Sequence, residues 1–69
     1  MVEVNLFNLG KEADQKPSLI IVAPIIEINI DRGVLQVPSL DGKEINSWYF
    51  VEYEKDGSTY KFYQVDKVK

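Results

Sequence analysis

Nucleophilic catalysis requires a serine, cysteine, threonine or lysine held beside a base, and this chain contains neither cysteine nor histidine, the usual base. The same two absences remove disulfides and zinc sites of the Cys/His type. Ser18, Ser39, Ser47 and Ser58 fall at expected strand ends and turns, where a hydroxyl bonds nearby backbone rather than attacking a substrate. Carboxylates are plentiful, but no pair sits in an apolar setting that would raise a pKa for acid-base work. The four glycines are isolated, so none belongs to a phosphate-cradling loop. These residues imply no enzyme, no cofactor and no catalytic site.

Two constellations carry weaker chemical signals. Glu27, Asn29 and Asp31 alternate along a strand and project oxygen ligands from one face, which is the ligand type calcium prefers. Their spacing lacks the glycine and the distal glutamate of an EF-hand loop, and a solvated strand face has the same pattern, so no metal is expected. Lys55, Lys61, Lys67 and Lys69 interleave with Tyr60, Phe62 and Tyr63, as in small barrels that stack single-stranded nucleic acid on aromatic rings. Glu52, Glu54, Asp56 and Asp66 lie among them and would repel phosphates. A basic surface is also missing, because 8 Lys and Arg face 11 Asp and Glu for a net charge of −3. Nucleic acid is therefore the alternative partner and not the expected one.

The elements that must position these residues are strands, because β-branched and aromatic residues cluster in short runs bounded by Gly, Pro, Asp and Asn. Val2, Val4 and Leu6 alternate with Glu3 and Asn5, the period of a strand with one wet face. Asn8 to Ser18 is a polar loop, with Glu12 to Gln15 the one place for a single helical turn. Leu19 to Ala23 is continuously apolar and reads as a strand buried on both faces or covered by a neighbour. Pro24, lacking an N–H, should mark a bend, a bulge or an edge. Ile26, Ile28 and Ile30 then share one face, Asp31-Arg32-Gly33 turns the chain, and Val34 to Val37 returns until Pro38 stops it.

Asp41-Gly42 marks a further turn, and Asn46 to Glu54 and Ser58 to Asp66 flank Asp56-Gly57 as a hairpin. A two-residue turn there pairs Tyr53 with Tyr60, Glu52 with Lys61, Val51 with Phe62 and Phe50 with Tyr63. This register sets opposite charges and aromatic pairs across from each other. Ile26, Ile28 and Val51 are the expected core, with Glu27, Asn29 and Glu52 in water.

With 69 residues the chain has room for a single domain spanning 1–69. The expected fold is an all-β antiparallel meander of five or six short strands, curled into an SH3-like or OB-like barrel. So small a core leaves little stability in reserve and favours a well-closed sheet or oligomerisation. Met1 to Asn5 has no cationic leader pattern, and the apolar run from Leu19 to Ile30 falls short of the ~20 residues of a spanning helix. No membrane is expected, and a cytoplasmic location is the default.

The hairpin carries apolar residues on both faces, and a small core covers one face fully. Tyr49, Val51, Tyr53, Tyr60 and Phe62 form the richer core face, which leaves Trp48, Phe50 and Tyr63 as the expected partner-binding surface. The leading functional expectation is a non-catalytic protein-interaction module, or a small accessory or inhibitor protein of the kind phages and mobile elements encode. It would dock on another protein through the aromatic hairpin or a sheet edge. A self-assembling subunit, joined to a second copy of itself through the edge of the Leu19 to Ala23 run or the second face of the hairpin, is a further expectation.

Overall fold

The computed structural model describes residues 1–11 and 15–69, and these residues are all-β without a helix. The helical turn expected at Glu12 to Gln15 lies largely outside the described residues. Eight strands follow in chain order: β1 Val2–Phe7, β2 Leu19–Ala23, β3 Glu27–Asn29, β4 Val34–Pro38, β5 Ile45–Tyr49, β6 Glu52–Asp56, β7 Thr59–Tyr63 and β8 Asp66–Lys67. They form two four-stranded sheets, ordered β2-β1-β7-β6 and β3-β4-β5-β8. Neither sheet closes on itself, so the expected barrel is replaced by two open sheets sharing one core.

β1 is central in the first sheet, antiparallel to β2 and parallel to β7. That parallel pairing departs from a simple meander. It joins the two ends of the chain, a contact that neighbouring turn signals do not announce. Val4 and Leu6 are 0% and 1% exposed, and Leu6 lies beside Phe62 in register. Asn5, expected on a wet face, is instead 7% exposed between β2 and β7, with its amide donating to Glu3 Oε2 at 3.1 Å.

The chain crosses between the sheets three times, at Pro24–Ile26, Phe50–Val51 and Gln64–Val65. Pro24 follows β2 as a bend, because it has no N–H with which to continue a ladder. At the second crossing the backbone divides its hydrogen bonds. Phe50 N–H donates to Gly33 C=O at 2.9 Å, and Val51 N–H donates to Tyr63 C=O at 3.1 Å. One residue is thus tied to the end of the β3–β4 hairpin and the next to the first sheet. The expected single strand over 46–54 is accordingly two strands in different sheets.

This break overturns the expected placement of two neighbours. Phe50 is 8% exposed and joins the core, whereas Val51 is 70% exposed. A change of sheet interrupts the period-two alternation, so face assignments made by counting along one strand fail beyond it. Ile26 and Ile28 are half-buried against the core, as expected of that face, while Glu27 and Asn29 are exposed. Ile30, expected on the same face, is 65% exposed because β3 ends at Asn29.

The β6–β7 hairpin forms with a shifted register: Tyr53 pairs with Phe62, Glu54 with Lys61 and Lys55 with Tyr60. The central turn residues are Gly57 and Ser58 rather than Asp56 and Gly57. Gly57 has φ +63° and Ser58 is not in the positive region, the glycine-first pattern of a type II′ turn. The shift is two residues, so it moves every pair and leaves every face unchanged. Gly33 is also left-handed, at φ +66°, and closes a four-residue loop, Ile30 to Gly33, between the paired Asn29 and Val34. A side chain there would place its Cβ 2.8 Å from the Phe50 carbonyl oxygen, so the sheet crossing requires glycine at this point for closeness as well as for φ.

Candidate interaction surface

The three residues expected to dock a partner do not form an exposed patch. Phe50 and Tyr63 are 8% and 5% exposed, and Trp48 is half-buried against the core. Phe50 meets Phe62 edge-on at 5.0 Å and Tyr53 at 5.7 Å between ring centroids. Tyr63 lies on the opposite face of its sheet and stacks on Phe7 at 4.9 Å. Lys67, opposite Trp48 in the β5–β8 ladder, places its ammonium 4.5 Å from the indole centroid. Crossing between sheets puts Phe50 inside, and Phe7 of β1 covers Tyr63.

The start of the loop after β1 is linked to Tyr63 by ionisable groups. Tyr63 OH donates to Glu54 Oε1 at 2.6 Å, and the other carboxylate oxygen of Glu54 receives Lys11 Nζ at 2.9 Å. Lys11 follows β1 and Glu54 lies on β6, with β7 between them in the sheet, so the ion pair reaches across the strand that carries Tyr63. The Lys11 ammonium, followed by the Tyr63 hydroxyl, holds the Glu54 carboxyl below its ordinary range. The hydrogen bond and charge of Glu54 raise the Lys11 ammonium. Burial, then the hydrogen bond to Glu54, pushes the Tyr63 phenol up to about 12.

The signs of these shifts predict two limbs in the stability profile. The Glu54 contribution is present above the ordinary carboxylate range and is lost as pH falls through its depressed folded value. The raised Tyr63 contributes fully below its ordinary value of 10.0, and that contribution is lost as pH rises towards about 12. Melting temperature followed into acid should therefore fall less steeply in Glu54→Gln than in the wild type. Parallel acid limbs in the two proteins would show that the carboxylate does not hold this segment.

The other sequence signals are absorbed by local structure. Asn29 Oδ1 accepts from Arg32 N–H at 3.1 Å and braces the β3–β4 turn, which commits one of the oxygens considered for calcium. Among the described residues no cluster of acidic groups is arranged to hold a metal. Ser18 Oγ donates to Leu6 C=O at 3.0 Å. Ser39 Oγ donates to Asp41 at 2.6 Å and accepts from Glu44 N–H at 3.1 Å. Both hydroxyls thus serve local structure, as strand ends and turns imply. Of the rings interleaved with lysines, Phe62 is 0% exposed, and Lys55 lies over Tyr60 at 5.7 Å from its centroid.

What the fold leaves open is β2. Among the described residues it is an edge strand, paired with β1 alone. Leu19, Ile20 and Val22 are 46%, 57% and 54% exposed, which corrects the expectation of a strand buried on both faces. The other three edges are blunted. β8 has two residues, Asp66 and Lys67; β3 has three and begins with Glu27; β6 carries Glu52, Glu54, Lys55 and Asp56. Charge and shortness are the usual protections of a sheet edge, and the five residues of β2, Leu-Ile-Ile-Val-Ala, have neither.

Beside this edge lies a groove of about 330 Å³ between the two sheets, bordered by Leu19, Ile21, Ala23, Val37, Leu40 and Trp48. Among the described residues no charged one lines it. Leu40, at the tip of the β4–β5 turn, is 84% exposed. The edge offers backbone donors and acceptors, and the groove offers apolar contact to the side chains of whatever pairs there. Comparison with known proteins supplies no relative from which to transfer a role. No family model, curated protein or solved structure matches this chain.

Sequence reasoning placed the partner-binding residues on the aromatic hairpin, and offered the edge of the Leu19 to Ala23 run as one of two surfaces for self-assembly. The available signal was Pro24, whose missing N–H fits the end of an edge strand. An apolar run without alternation is otherwise the pattern of a strand covered on both sides.

Proposed function

We propose that this chain is a non-catalytic protein-interaction module that docks by strand addition at the free edge of β2. The observation that carries the reading is the unblunted apolar edge beside an uncharged groove. Backbone hydrogen bonds along such an edge supply affinity, and pockets for alternate side chains supply specificity. The segment that fits is extended, with apolar residues at alternate positions to enter the groove.

Affinity selection from a random-peptide display library on the immobilised chain tests this reading. Enriched sequences should alternate apolar residues, and their binding should be lost on Val22→Lys but kept on Val51→Lys. Val51 is similarly exposed but adjoins β6, at the opposite side of the first sheet from β2. Enriched peptides that bind both variants alike would place the site elsewhere and overturn the reading.

A further inference from the structure

We infer that the segment received by β2 is β2 of a second copy, so that two chains join antiparallel, edge to edge, about a two-fold axis. The inference rests on the docking reading above and specifies its occupant. Four features of the chain favour its own strand over an unrelated one.

The edge is complementary to itself. With Ile21 at the axis, Ile20 of one copy faces Val22 of the other and Leu19 faces Ala23. Each β-branched residue then meets another across the junction, and the largest outer residue meets the smallest, the kind of pairing that stabilises antiparallel strands. Pro17 and Pro24 bracket the segment in both copies, so neither strand can extend the ladder far beyond the five residues of β2.

The faces also match. Ile21 lies beside core residue Val4 in register, so Leu19, Ile21 and Ala23 point to the side of the first sheet that meets the second. A two-fold axis perpendicular to the sheet puts the same residues of the second copy on that same side. Its Leu19 and Ile21 are then presented to the groove bordered by Val37, Leu40 and Trp48.

Charge permits the contact. Two chains of net charge −3 repel on most of their surfaces, but β2 has no ionised residue and, among the described residues, neither has the groove. Closure favours it as well, because isologous pairing consumes both unprotected edges at once and exposes no new one. The remaining outer edge of the joined sheet is β6 in each copy, already guarded by Glu52, Glu54 and Asp56.

Area is the last consideration. A stable interface removes about 800 Å² from each partner, which is about one sixth of the 4920 Å² this chain exposes. A short ladder must be joined by the groove and the Leu40 turn to reach that size, and these adjoin β2. A chain this small, without cysteine, gains from a partner the burial that its own core lacks.

Sedimentation equilibrium over micromolar to submillimolar concentrations is the test. The wild type should reach a mass of two chains of 7.9 kDa. Val22→Lys, at a half-exposed position that leaves the fold intact by circular dichroism, should sediment as a monomer. The double variant Ile20→Glu with Val22→Lys sets opposite charges across the junction twice and should restore the dimer, which only the antiparallel register centred on Ile21 explains. A wild type that stays monomeric overturns the second copy as occupant. If peptides selected on that monomer still need Val22, the docking reading survives; if none does, both fall. A dimer indifferent to Val22→Lys, or a double variant that stays monomeric, overturns the proposed junction.

Discussion

Phe62→Ala is expected to leave the chain without a cooperative unfolding transition at room temperature. Phe62 is 0% exposed, and its ring lies within 5.0 Å of the Phe50 centroid and 5.6 Å of Tyr53. Removing a buried phenylalanine side chain costs about 3–5 kcal/mol, because the cavity left behind collapses only in part. A domain of this length has a total stability of roughly 3–10 kcal/mol at ~0.05–0.15 kcal/mol per residue. The loss is thus comparable to the whole. Urea titration followed by far-ultraviolet circular dichroism and Trp48 fluorescence would measure it. A variant retaining the wild-type midpoint would mean that the two sheets do not pack through this ring.

Phe50→Ala should be almost as damaging, while the adjacent Val51→Ala should be close to silent. Phe50 fills the crossing between the sheets at 8% exposure, and Val51 stands 70% exposed beside it. Truncating the first costs about 3–5 kcal/mol; truncating the second falls within about 0.5 kcal/mol, as ordinary surface changes do. Counting faces along an unbroken strand gives the opposite order. Thermal melts of the two single variants therefore test the change of sheet directly, and equal losses would argue for one continuous strand over 46–54. Phe50 and Phe62 touch, so the double variant should lose less than the sum of the singles.

The site was less legible than the fold. Trp48, Phe50 and Tyr63 were the expected contact surface because a hairpin with two apolar faces calls for an external cover. The cover is internal. Phe50 turns into the core at the crossing, and Tyr63 stacks on Phe7 with its hydroxyl held by Glu54, which also pairs with Lys11. That fastening joins residues far apart in sequence, and nothing in the local pattern around either one announces the other. The run Leu19 to Ala23 was open to both readings, covered strand and free edge, since its burial depends on how many strands stand beside it.

Local chemistry was sufficient wherever a few adjacent residues decide the conformation. Gly33, Gly42 and Gly57 all adopt the positive φ that their turns require. Pro24 ends β2, and Val4 and Leu6 face inward because alternation within one strand needs no knowledge of its neighbours. The tertiary structure alone decided which strands became neighbours. It paired β1 in parallel with β7, moved the chain between sheets at Phe50–Val51, and left β2 with one partner. Burial at those positions is set by the second sheet and by the order of strands, and both follow from the collective packing of a core drawn from the whole chain.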